Sequence, residues 1–171
     1  PIKSSAASDV YKRQTYGDLC DKAKEFSEAL PYRTLIFILA ENCNGALLGY
    51  ISALSNGVVP LIISNNTEQS LFDTLYGKYQ PEFLWLPTNK IAGFNLKDTL
   101  YSTNGYSLVR TGFDTPNLYE DLSLLLPTSG STGSPKLVRH SYRNIEANAE
   151  NVMNLFGLTS SERAMAALPM H

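Results

Sequence analysis

Apolar positions between residues 15 and 87 alternate between two periods, and that alternation predicts the fold. Thr15-Tyr16-Gly17-Asp18 sets an acid three residues after a hydroxyl, the pattern of a capping box at a helix start. Tyr16, Leu19, Ala23, Phe26 and Leu30 then step by three and four, one stripe of an amphipathic helix that Pro31 ends. Leu35-Ile36-Phe37-Ile38-Leu39 is an unbroken apolar run rich in strand formers, suited to a strand buried on both faces. Residues 45–54 are apolar almost all round and read as a second helix, with Asn56-Gly57 as its stop. Residues 58–63 read as a buried strand, although Pro60 argues against a central place in a sheet.

The rhythm continues beyond this point. Leu71, Phe72, Leu75, Tyr76 and Tyr79 carry helical spacing before Pro81, and Phe83-Leu84-Trp85-Leu86 is the next strand, closed by Pro87. Residues 89–104 look like an irregular excursion, with a strand at 106–109 after it. Strand, helix, strand, helix in this order predicts an α/β fold of βαβ units around a largely parallel sheet. Residues 1–14 show neither period and are expected to be an added or assembly-derived scar, leaving 15–171 as part of one domain. The apolar run 164–168 at the other end is unlike a natural domain boundary, so a fragment of a longer protein is expected.

Composition narrows the function classes. Fourteen Lys and Arg against 16 Asp and Glu give a formal net charge of -2, which argues against a nucleic-acid partner or an anionic membrane held by bulk charge. The 171 residues contain no apolar run of the ~20 needed to cross a bilayer, and no basic-then-apolar leader opens the chain. Cys20 and Cys43 form neither a CxxC pair nor a metal spacing with His140 or His171. A cytoplasmic protein with reduced thiols is the expectation.

The chemistry-bearing segment begins where Leu122-Ser123-Leu124-Leu125-Leu126, a predicted strand, runs into Pro127-Thr128-Ser129-Gly130-Ser131-Thr132-Gly133-Ser134-Pro135-Lys136. Glycines let backbone N–H groups turn toward a ligand without a Cβ in the way, and hydroxyls add donors. Lys136 brings a point charge suited to phosphate oxygens. The block is therefore an anion cradle. It is not a Walker loop, because Lys136 lacks the flanking Gly and Ser/Thr, and a strand-like stretch, Leu137-Val138-Arg139-His140, follows it. The next helix starts only at Ser141, a natural N-cap, and runs through Ile145, Ala149, Val152, Met153 and Phe156 to Gly157. The loop thus joins two strands and is expected to act as a flap. The competing reading, a flexible Ser/Gly linker, fits poorly with tight apolar flanks and a Pro-Lys end.

From Leu125 to Lys136 the sequence resembles the signature phosphate loop of the AMP-forming adenylating enzymes: acyl- and aryl-CoA synthetases, nonribosomal peptide adenylation domains and luciferases. Weaker blocks stand in the family's order at Tyr16-Gly17-Asp18-Leu19, at Ala53-Leu54-Ser55-Asn56-Gly57-Val58-Val59-Pro60-Leu61 and at Leu168-Pro169-Met170-His171. Two positions depart from the family pattern, Leu137 where many members have Gly and Tyr142 where many have His, and they bear on subgroup more than on chemistry.

The resemblance implies that the parent activates a carboxylic acid as an acyl adenylate with ATP and Mg²⁺, releases pyrophosphate, and passes the acyl group to CoA or a carrier-protein thiol. It implies that Thr128, Ser129, Gly130, Ser131, Thr132 and Gly133 donate to the phosphates. Lys136 adds charge or anchors the loop to the body. His171, which read bare is a core or surface histidine, would line the acyl pocket. The Asp-containing block that holds an amino group in peptide-synthetase domains is missing there, which favours an acid without a free α-amine. The family's metal-binding Glu, ribose-binding Asp and late catalytic Lys have no counterpart, so this segment alone is expected to be inactive. Two alternatives stand beside the ligase: a nucleotide- or phosphate-binding domain without ligase activity, and a truncated remnant. His140, the tyrosines and Trp85 read as structural.

Overall fold

The computed structural model describes residues 15–94, 98–114, 116–128 and 136–162, so the expectations for 1–14, 129–135 and His171 lie outside the described residues. Helix α1 (Tyr16–Glu28) opens on the expected box: the Asp18 N–H donates to Thr15 Oγ1 at 3.1 Å, and the Thr15 N–H donates to Asp18 Oδ2 at 2.8 Å. Then come β1 (Leu35–Ala40), α2 (Asn44–Ser55), β2 (Val59–Ser64), α3 (Gln69–Tyr79) and β3 (Phe83–Pro87), each within two residues of where periodicity puts it. Gly57, at φ 67°, takes the left-handed turn after α2 that a Cβ would resist.

A 3₁₀ segment (Thr88–Phe94) leads to β4 (Thr99–Thr103) and β5 (Tyr106–Arg110). The remaining elements are β6 (Leu122–Thr128), β7 (Lys136–Ser141) and α4 (Tyr142–Phe156). The seven strands form one sheet in the order β4-β5-β3-β1-β2-β6-β7. Its centre, β3-β1-β2-β6, is parallel, and antiparallel pairing with β5 and β7 extends it on both sides. The α/β expectation holds, with two differences. Residues 89–104 contain β4, an edge strand with no fully buried residue, whose half-buried Tyr101 and Thr103 are too few to announce a period. And Pro60 lies in a central strand after all. The Val59 N–H donates to Thr34 O at 2.9 Å, so alternate N–H groups of β2 face β1 and the Pro60 nitrogen faces β6, where the registered pairing is Leu61 with Leu125.

The alternation of β1 divides the core. Ile36, Ile38 and Ala40 face α1 and α2, packing with Phe26, Ala46, Ala53 and Trp85, while Leu35, Phe37 and Leu39 face α3 through Phe72 and Leu75. Helices on opposite faces are the mark of a doubly wound sheet. Trp85, Tyr106 and Phe26 fill the first face, with the Phe26 ring edge-on to the indole at 4.9 Å. Space is tight there: a Cβ on Gly49 would collide with the indole, and the Trp85 Nε1–H donates to Gly45 O at 2.8 Å.

Candidate functional site

In a doubly wound sheet the carboxyl ends of parallel strands face one edge, and ligands sit outside that edge where successive crossovers part to opposite faces. Here α2 leaves β1 on one face and α3 leaves β2 on the other, so the switch point lies between Ala40 and Ser64. The next strand over is β6, and its carboxyl end is Thr128. The Ser/Gly block therefore starts from the edge of the sheet where ligands are held in this architecture.

Thr128 and Lys136 are register partners at the mouth of the β6–β7 hairpin, and Thr128 Oγ1 donates to the Lys136 carbonyl oxygen at 3.1 Å. Directly opposed residues share a sheet face. Leu124 and Leu126, four and two residues before Thr128, pack on the α1/α2 side, so Thr128 and Lys136 face that side as well. Both are exposed, and among the described residues the Lys136 ammonium has no hydrogen-bond or ion-pair partner. Of the two roles open to Lys136 in sequence, no anchor to the described body is seen. Ser129, Gly130, Ser131, Thr132 and Gly133 lie outside the described residues, as does His171.

Beside the hairpin mouth the edge is braced by residues that periodicity does not single out. Asn65, directly after β2, donates through Nδ2 to Glu41 Oε1, directly after β1. The Asn65 N–H donates to Ala40 O at 3.0 Å, and Lys90 Nζ donates to Asn65 O at 2.7 Å. Tyr106 Oη accepts from the Glu41 N–H at 3.1 Å and donates to Leu39 O at 3.0 Å; burial pushes its phenol far above the usual range. A cleft of about 340 Å³ lined by Ser64, Asn65, Gln69, Asn89 and Lys90 opens here on the α3 side. The signal for these residues was positional: each of Glu41 and Asn65 is the first residue past a parallel strand.

At the far end of β6, the Arg33 guanidinium donates to Leu122 O at 2.8 Å and to Tyr119 O. Ser123 Oγ donates to His140 O at 2.8 Å, which leaves the His140 backbone in a structural role. Ser141 caps α4 by a second box with Asn144, as expected. No group of three or more His, Cys, Asp or Glu converges among the described residues, and no helix among them is long and apolar enough to cross a membrane.

Comparison with known proteins gives this edge a context. The family model for AMP-binding enzymes matches residues 2–171. A feruloyl-CoA synthase from Amycolatopsis is 42% identical over 57 residues, covering 33% of this chain and 12% of the relative. Among solved structures, apo MatB from Rhodopseudomonas palustris superposes with a TM-score of 0.74 at 18% identity, over 92% of this chain and 35% of that one. The O-succinylbenzoate coenzyme A synthetase of Bacillus subtilis, in complex with AMP, gives 0.68 at 18% identity, over 93% of this chain and 45% of that one. The likeness to solved structures is one of fold, and the chain spans less than half the length of each of these proteins.

Proposed function

Because the chain belongs to the AMP-binding enzyme family, we propose that it supplies the triphosphate-holding part of an AMP-forming acid ligase. In the proposed reaction a substrate carboxylate oxygen attacks the α-phosphorus of ATP. The bond from that phosphorus to the β-phosphate's bridging oxygen breaks, and pyrophosphate departs with the negative charge that develops. Stabilising that charge is the main task of the protein at this step. Backbone N–H groups and hydroxyls of Ser129, Gly130, Ser131, Thr132 and Gly133 are the proposed donors, with the Lys136 ammonium as the nearby positive charge. Mg²⁺, when bound, would supply positive charge against the phosphates; its protein ligand is expected outside this segment. His171 is proposed to line the acyl pocket, and the acyl group is proposed to pass to CoA or to a carrier-protein thiol in the cytoplasm.

The observation that carries this reading is positional. A Ser/Gly block suited in sequence to an anion follows the carboxyl end of a parallel strand, beside the switch point, and Lys136, which has no partner among the described residues, stands at the hairpin mouth. The feruloyl-CoA synthase likeness supports an acyl- or aryl-acid substrate. The test is pyrophosphate release from ATP by the full-length protein that carries this segment, across a panel of carboxylic acids. Release with at least one acid is expected. ATP binding without release by any acid would instead favour a nucleotide-binding domain. Lys136→Ala should lower the rate of release by about two orders of magnitude, the scale of removing one charge-stabilising donor. It should leave the melting temperature nearly unchanged, because the side chain is exposed and has no described partner. Equal loss of both would assign Lys136 to the body of the fold.

A further inference from the structure

We infer that Thr128 is a positioning residue, which acts on the triphosphate through Lys136 and not as a phosphate donor itself. A threonine hydroxyl carries one hydrogen. In this structure that hydrogen points to the Lys136 carbonyl oxygen at 3.1 Å, across the last registered pair of the β6–β7 hairpin. Thr128 Oγ1 keeps its acceptor lone pairs, but phosphate oxygens are acceptors too and gain nothing from them.

The placement gives the bond a purpose. Thr128 is the final residue of β6 and Lys136 the first of β7, so the two hold the ends of the glycine-rich segment at one separation. Farther along the hairpin the registered pairs are Leu126 with Val138 and Pro127 with Leu137. Pro127 has no N–H to add to that ladder. Next to Pro127, the Thr128 hydroxyl adds a side-chain bond across the hairpin to the Lys136 carbonyl, and the ammonium of Lys136 has no partner among the described residues.

The inference rests on the proposed ligase reading, and the tests keep the two apart. In the full-length protein, Thr128→Val keeps the β-branched shape and removes the hydroxyl, while Thr128→Ser keeps the hydroxyl. The valine variant should lose about tenfold in kcat/KM for ATP, the size expected for one hydrogen bond, and the serine variant should stay within about twofold of the parent. In a Lys136→Ala background, Thr128→Val should cost less than about twofold further, because its effect runs through the lost ammonium. A direct phosphate donor would instead cost the same factor in both backgrounds, and that additivity would overturn the inference. Hydrogen exchange supplies a readout independent of catalysis. Amides at the hairpin mouth should exchange faster in the valine variant than in the serine variant at equal global stability; unchanged exchange there would also overturn it. Absence of any ATP-dependent release by the unmodified protein would remove the ligase reading while leaving the exchange test to decide the clamp.

Discussion

Residues 35–87 and residues 122–156 are both built of strands and helix, yet they are covered very differently. In the first, β1 is buried along its whole length and α2 buries Gly45, Ala46, Leu48, Gly49, Ser52 and Ala53. In the second, β7 is half exposed, and no residue of α4 is buried. Leu155 and Phe156 stand 78% and 69% exposed on a helix whose Ile145 and Tyr142 reach back, Tyr142 through a hydrogen bond to Leu54 O at 2.9 Å. The first region carries its own core; the second is tied to it through β2–β6 pairing and the hydrogen bond from Arg33. Apolar burial contributes about 25 cal/mol per Å², so the two regions should answer very differently to truncation.

The largest effect is expected at Trp85, the protein's one tryptophan, which is fully buried between Phe26 and Tyr106. Trp85→Ala should cost about 3–5 kcal/mol of unfolding free energy, including the loss of the indole N–H bond to Gly45 O. Denaturant titration by circular dichroism reads this directly. A loss below about 1 kcal/mol would mean that the first region is not the stabilising one.

Next in size is Arg33→Ala. Its guanidinium holds two carbonyls at the start of β6, and Arg33 itself sits at φ 62°, where an alanine is also strained. A loss of about 2 kcal/mol is expected, the scale of charge-assisted hydrogen bonds. Hydrogen exchange should locate that loss in β6 and β7 and leave β1 protected. Loss spread evenly over the sheet would show that the two regions unfold as one unit and erase the distinction.

Smaller still is the effect of trimming the open face of α4. Leu155→Ala and Phe156→Ser should each change stability by less than about 0.5 kcal/mol, as surface positions do. Both should make the isolated chain less prone to aggregate, which light scattering would show, because exposed apolar area is what the substitutions remove. A cost comparable to that of Trp85→Ala would place these side chains in a core that the described residues do not reveal.

How far the sequence exposed this arrangement follows from the same contrast. Wherever a face is buried, its period is written into the chain: Leu35 to Leu39, the α2 stripe and Phe83 to Leu86 each name their element because the core requires it. Capping was equally plain, since Thr15 with Asp18 and Ser141 with Asn144 are local pairs. β4 was not legible, because this short edge strand, held by backbone pairing to β5, turns only Tyr101 and Thr103 half inward, and exposed Leu100 breaks the apolar alternation. Nor were the antiparallel margins, which depend on where β5 and β7 turn back and not on composition. For the site, the Ser/Gly block and Lys136 stood out as chemistry. The Glu41–Asn65–Lys90 bracing did not, because it joins three loops far apart in the chain.

The smallest expected effect separates the two helices that flank these regions. Both α1 and α4 open on a capping box, but the box of α1 uses the Asp18 carboxylate and that of α4 the Asn144 amide. The Thr15 N–H, and then the Thr15 hydroxyl, hold the Asp18 carboxyl below the usual carboxylate range. A depressed folded value means that its contribution is fully present above the unfolded value of about 3.9 and is lost as pH falls through the lower folded value. Asn144 does not titrate. Acidification should therefore loosen the first turn of α1 before that of α4, visible as faster amide exchange at Asp18 and Leu19 with Asn144 and Ile145 unchanged. Asp18→Asn keeps an acceptor for the Thr15 N–H and should remove the pH dependence from α1. Equal acid sensitivity at both helix starts would show that the loosening comes from the sheet beneath them and not from the caps.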